Sequence, residues 1–145
     1  MPEEAARAPE IRVPCTRLGC SRCCLGTQME LSKSDIERIT RLGYKLEDFA
    51  VRGADGRYRL KNVNGRCVFL GEDGRCKIYE HRPLGCRLYP VVCVEGEGLG
   101  VDSECPLSRM VLGLLRRDGR LVEEIASVVA REFGVECPAR LVGIV

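Results

Sequence analysis

Apolar residues fall into two different periods along this chain, helical at both ends and near two in the middle. After Leu31, the run Ser32-Lys33-Ser34-Asp35 leads into Ile36, Ile39 and Leu42 at helical spacing. Ser32 can cap the helix N-terminus, Asp35 suits its first turn and Gly43 ends it. Leu46 to Val51 adds a short helical turn. Tyr58, Leu60 and Val63 then alternate with polar residues as in a half-buried strand. Cys67-Val68-Phe69-Leu70, the turn Gly71-Glu72-Asp73-Gly74 and Arg75-Cys76-Lys77-Ile78-Tyr79 read as a β-hairpin. Arg82-Pro83 and Tyr89-Pro90 punctuate the next stretch. Val91 to Val94 predicts a short strand ended by a Gly96/Gly98/Gly100 loop, which lacks the strand–glycine–helix context of a nucleotide loop. From Pro106 the period is helical again. Leu107, Met110, Val111, Leu114 and Leu115 make one stripe, Asp118-Gly119 turns the chain, and Leu121, Val122, Ile125, Val128, Val129 and Phe133 make a second before Gly134. These two helices are expected to build the core.

The predicted fold class is therefore α+β: one small domain over residues 15–145, with a short β-hairpin and C-terminal helices. Residues 1–14 mix Glu, Arg, Ala and Pro and read as a flexible leader without the apolar centre of a signal peptide.

Composition narrows the function. The 145 residues are 45% hydrophobic and 30% charged, with 23 basic and 21 acidic side chains giving a net charge of +2. That balance argues against a nucleic-acid partner. No apolar run approaches the roughly 20 residues of a membrane span. The expected location is the cytoplasm. The ten cysteines change the picture most. In a reducing compartment such density points to metal thiolates or redox chemistry. The chain also has two Asn and one Gln, a weakly thermophile-like composition that keeps a disulfide-stapled scaffold without metal open as an alternative.

The densest signal is Cys15-x4-Cys20-x2-Cys23-Cys24. A two-residue spacer lets the sulfurs of Cys20 and Cys23 reach one metal while intervening amides point at the thiolates. Cys23 and Cys24 are adjacent, and neighbours in extended backbone point in opposite directions. They fit best on two metals or on opposite sides of a cluster. The predicted hairpin brings Cys67 and Cys76 to neighbouring strands, and Cys86 follows the constrained Arg82-Pro83 turn. Cys105 precedes Pro106 where a helix begins, so its thiolate gains from the helix N-terminus. The candidate ligands are Cys15, Cys20, Cys23, Cys24, Cys67, Cys76, Cys86 and Cys105.

These motifs resemble the YkgJ-type CxxCxxCC cysteine-cluster family of zinc- or iron-chelating proteins. The likeness rests on the first cysteine loop, on Leu31-Ser32-Lys33-Ser34-Asp35-Ile36, and on Cys67-Val68-Phe69-Leu70. It continues in Cys76-Lys77-Ile78-Tyr79-Glu80-His81-Arg82-Pro83 and Cys86-Arg87-Leu88-Tyr89-Pro90. It covers roughly residues 15–106. The chain departs from the pattern in having four residues, not two, between Cys15 and Cys20. The resemblance implies a bound metal. It also includes a flagellin lysine-methylating protein, so a component of a protein-modifying enzyme is the alternative function, although no methyl-donor site is recognisable. Cysteine-only ligation suits zinc and iron–sulfur clusters alike. The long gaps after the first loop and the vicinal pair favour an iron–sulfur cluster, with zinc as the alternative. No protein partner is indicated.

Blander readings take the remaining residues. Cys93, between valines, reads as an inert small hydrophobe, and Cys137 as structural or free. His81 reads as a solvated surface histidine. Arg82 and Arg87 are candidates to offset the negative charge of a thiolate centre. Tyr79 and Tyr89 are expected to pack around it.

Overall fold

The computed structural model describes residues 9–11 and 24–145. The expected leader and the loop holding Cys15, Cys20 and Cys23 lie almost entirely outside these residues. The described residues divide into two compact units, one of residues 24–86 and one of residues 9–11 and 87–145.

The first unit opens with β1 (Glu30–Leu31), followed by α1 (Lys33–Arg41) and α2 (Leu46–Phe49). The Ser32 start is a full capping box. The Asp35 N–H donates to Ser32 Oγ at 3.1 Å, and the Ser32 N–H donates to Asp35 Oδ2 at 2.9 Å. Next come β2 (Ala50–Arg52) and β3 (Tyr58–Leu60), and the three strands form an antiparallel sheet of order β1-β3-β2. Leu31 lies opposite Tyr58, and Ala50 opposite Leu60. In the β2–β3 connection the Arg59 guanidinium hydrogen-bonds Asp55 and lowers its carboxyl pKa to about 2.

A second, two-stranded ladder follows, from β4 (Asn62–Val63) and β5 (Arg66–Cys67). Its turn is Asn64-Gly65 with φ of 53° and 75°, the pair of positive values that a tight two-residue hairpin loop requires. This corrects the predicted secondary structure twice. Val63 is 48% exposed and leaves the β3 alternation. The hairpin expected to span Cys67 to Cys76 shrinks to a single bridge, Leu70 to Cys76, around the Gly71–Arg75 turn, because Cys67 pairs with Asn62 instead. The core of this unit gathers Leu31, Ile39, Phe49, Leu60, Phe69 and Ile78. The Phe49 and Phe69 rings lie 6.0 Å apart, and Tyr44 meets Phe69 edge-on at 5.0 Å. Its last segment enters α3 (Leu84–Leu88).

The second unit contains β6 (Val91–Val94), β7 (Gly98–Val101), α4 (Ser108–Arg117), α5 (Gly119–Phe133) and β8 (Leu141–Ile144). Gly98 and Gly100 belong to β7, not to a loop. The strand is buried along its whole length, and β8 runs parallel to it. A Cβ at Gly100 would meet Val145, so close strand packing is what the glycine serves. Alternating glycines carry no hydrophobic period, which hid the strand. The α5 stripe is as expected, with Val122, Ile125, Val128 and Val129 buried and Gly134 ending the helix in the left-handed conformation. The α4 stripe is rotated. Ser108, Val111, Leu112 and Leu115 are buried, whereas Met110 is 51% and Leu114 40% exposed. The helix begins after Leu107, and the face it turns to β7 and β8 is set by the strands. No helix of the described residues is long and apolar enough to cross a membrane.

Candidate metal centre

The segment after Cys24 is tied to the β4–β5 hairpin by two devices. Leu25 bridges Arg66 in antiparallel sense, and the Gly26 N–H donates to the Gly65 carbonyl at 2.7 Å. Asn62 then clamps Thr27 from both sides. Its Oδ1 accepts from the Thr27 N–H at 3.0 Å and its Nδ2 donates to the Thr27 carbonyl at 2.9 Å. Cys67 is 6% exposed, within the core itself.

Cys76 follows immediately. The Leu70 N–H donates to the Cys67 carbonyl at 2.9 Å, turning the chain into the Gly71–Arg75 loop. That loop is closed by the Gly71 N–H on the Arg75 carbonyl at 2.8 Å and by Arg66 Nη2 on the Gly71 carbonyl at 3.0 Å. Cys76 then returns beside Leu70.

Cys86 is placed by α1. Asp35, only 1% exposed, uses its second carboxylate oxygen to accept the Leu84 N–H at 3.0 Å, capping α3 from another helix. Arg38 Nη2 donates to the same Asp35 oxygen at 3.0 Å and to the Arg82 carbonyl at 2.8 Å. Gly85 completes the docking, since a Cβ there would collide with the Met29 sulfur. Cys67 therefore belongs to the same apolar core against which Cys24, Cys76 and Cys86 pack half-buried. Sequence reading singled out the cysteines and missed Asn62, Arg38 and Gly85. Asn62 alone carried a signal, because Asn-Gly three positions before Cys67 marks the hairpin that it opens.

The other predicted ligands are not among the cysteines of this core. Cys15, Cys20 and Cys23 lie outside the described residues. Cys105, 5% exposed, belongs to the second unit, where its carbonyl accepts the Ser108 N–H at 3.1 Å at the entry to α4. Among the described residues no group of three or more His, Cys, Asp or Glu stands ready to hold a metal ion. His81 is exposed. Arg82 lies 3.9 Å over the Tyr79 ring, and Tyr79 is 41% exposed. In the second unit Tyr89 Oη donates to Asp102 at 2.7 Å, and the Arg87 carbonyl accepts the Ile11 N–H at 2.9 Å. Cys93 is a correction. It forms a disulfide with Cys137, with Cα atoms 6.1 Å apart, rather than packing as a small hydrophobe. The loop after α5 carries Cys137 back to β6, a return that no local pattern encodes.

Comparison with known proteins decides the family. The family described as "CxxCxxCC: Putative zinc- or iron-chelating domain" matches residues 14–106. The chain belongs to the CxxCxxCC family. That match spans the first cysteine loop, the Asn62 hairpin, the Cys76 loop, the Cys86 helix and Cys105. The family description supports metal binding without choosing between zinc and iron. An uncharacterized protein of Methanocaldococcus jannaschii, MJ0661, is 33% identical over 129 residues, covering 81% of this chain and 69% of that protein. No solved structure matches the chain. The donors present suit the metals that the family description names, since soft thiolates are the preferred ligands of zinc and of iron–sulfur iron.

Proposed function

We propose that this protein binds an iron–sulfur cluster, or alternatively zinc, with ligands drawn from the family cysteines Cys15, Cys20, Cys23, Cys24, Cys67, Cys76 and Cys86. How these and Cys105 of the second unit divide among centres is left to the metal stoichiometry. The observation that supports the reading is that Cys67 lies in one apolar core and that Cys24, Cys76 and Cys86 pack against that same core. The vicinal Cys23-Cys24 pair favours a multinuclear centre, since one tetrahedral ion is poorly served by neighbours that diverge. A metal held by several segments is also part of the fold, because a site assembled this way does not exist in the unfolded chain. In this reading the centre stabilises the fold or carries an electron, a metal or a signal.

Anaerobic purification followed by elemental analysis and visible absorption tests this. Iron and inorganic sulfide with a broad sulfur-to-iron band are expected. Zinc without a visible band selects the alternative, and protein that comes out metal-free and takes up neither metal refutes the reading.

A further inference from the structure

Exposed apolar side chains are not scattered over the second unit. Among its described residues the large ones are Met110, Leu114, Val142, Ile144 and Val145, each 40% to 51% exposed. All belong to α4 or to β8 and its end, and these two elements pack on one another. The 15 residues of α5 expose no large hydrophobic. Strand β8 is also an edge. The sheet runs β6-β7-β8, so one row of β8 N–H and C=O groups faces away from β7. Natural edges are commonly guarded by charge or proline. Leu141-Val142-Gly143-Ile144-Val145 carries neither, although a register shift marks its start. Charge completes the surface. Helix α4 holds Arg109, Arg116 and Arg117 and no acidic residue. All three are exposed, and none is ion-paired among the described residues. The neighbouring carboxylate, Asp118, accepts the Leu121 N–H as the cap of α5. Arg117 follows Leu114 by three positions and so extends the Met110–Leu114 row along the helix.

We propose that the α4–β8 surface binds a partner protein through an extended segment of apolar and acidic residues. The segment adds to β8 as a further strand and satisfies the open edge. Its apolar side chains cover the exposed residues of α4 and β8, and its carboxylates meet the three arginines. A second copy of the chain answers the edge but not the charge. Antiparallel pairing of β8 with its own copy would set two α4 helices side by side on one face of the joined sheet, each with arginines and no carboxylate. An anionic membrane answers the charge but not the edge, because hydrocarbon cannot pair backbone N–H and C=O groups. Both α4 and β8 follow the stretch that the family matches, residues 14–106, so the proposal does not rest on the metal-binding reading.

Selection of a random peptide library on the immobilised full chain tests this. Enriched peptides are expected to alternate apolar residues and to carry aspartate or glutamate, with affinity that falls as salt rises. Ile144→Lys puts a charge on the edge, and the double change Arg116→Glu with Arg117→Glu reverses the charge of α4. Each is expected to weaken the selected peptides by about 10-fold or more. The altered positions are exposed, and circular dichroism checks that both variants keep the fold. On the parent protein, bound peptide is expected to slow amide exchange in β8, a readout that needs no variant. Failure to enrich, peptides that bind parent and variants alike, or unchanged β8 exchange overturns the proposal. A parent that light scattering shows as a dimer, with Ile144→Lys a monomer, also overturns it and makes a second copy the occupant. Binding to phosphatidylserine vesicles that the arginine changes abolish, with no peptide selected, overturns it in favour of a membrane.

Discussion

Cys24 and Cys93 show how two cysteines of one chain acquire different chemistry. Cys24 stands beside the Leu25–Arg66 bridge and packs against the first unit's core, within the family motif. If it ligates as proposed, Cys24→Ser lowers the metal-to-protein ratio measured by elemental analysis. Cys23→Ser lowers it too, and the residual spectra of the two differ because adjacent side chains address different sides of a cluster. Unchanged stoichiometry and spectrum in Cys24→Ser would reduce the pair to one ligand and one packed thiol. Cys93 instead pairs with Cys137, 44 residues away. Cys93→Ser is expected to leave metal content unchanged while costing about 4 kcal/mol of stability under oxidising conditions, the chain-entropy value for such a loop. Denaturant melts with and without reductant check this, and a parent insensitive to reductant would show that the bond contributes nothing.

Among the elements, α1 and α3 are linked through a single carboxylate. Asp35 closes the capping box of its own helix, pairs with Arg38 and accepts the first N–H of α3. Asp35→Ala removes all three and strands a buried guanidinium. The expected loss is about 3–5 kcal/mol by urea denaturation, the range for breaking a buried pair. Gly85→Ala acts on the same joint from the other side. The added methyl meets the Met29 side chain, which must take another rotamer or yield space to α3, an overpacking cost of up to about 1–3 kcal/mol. Because Cys86 follows at once, this variant should also bind metal less tightly in a chelator competition. A Gly85→Ala protein with parent affinity would mean that Cys86 does not depend on close docking of the helix.

For the whole molecule the expectation concerns where the metal's stabilisation is felt. Four of the proposed ligands, Cys24, Cys67, Cys76 and Cys86, belong to the first unit, whose strands are only two or three residues long. Strands so short bury little on their own, so the metal should carry much of that unit's stability, on the order of 10 kcal/mol for a structural ion. Stripping it should lower the melting temperature and raise amide exchange across residues 24–86 above that across β7, α4 and α5. Those elements have their own buried stripes, among them Leu99, Val101, Val111, Leu115 and Ile125. Exchange that is unchanged after stripping would argue against a structural metal.

The sequence by itself determined α1, α2, α4 and α5, the cysteine motif and hence the family, but not the short α3 between its prolines. Capping residues and apolar stripes act over one or two turns, and ligand spacing within a loop is equally local. It also carried the Asn-Gly turn before Cys67, a signal overridden by the alternation from Tyr58 to Val63. Only the tertiary structure decided the rest. Cys67 exchanged its expected partner because the two-residue Asn64-Gly65 turn sets the register that pairs it with Asn62. The α4 stripe rotated because the strands it covers select its buried face. The glycine-rich β7 became a core strand because its partners, not its own side chains, bury it. Asp35 reached Leu84 and Cys93 reached Cys137 across 49 and 44 residues. Pairings at such range leave no periodic trace, because the chain between them is free to vary so long as its folded ends meet.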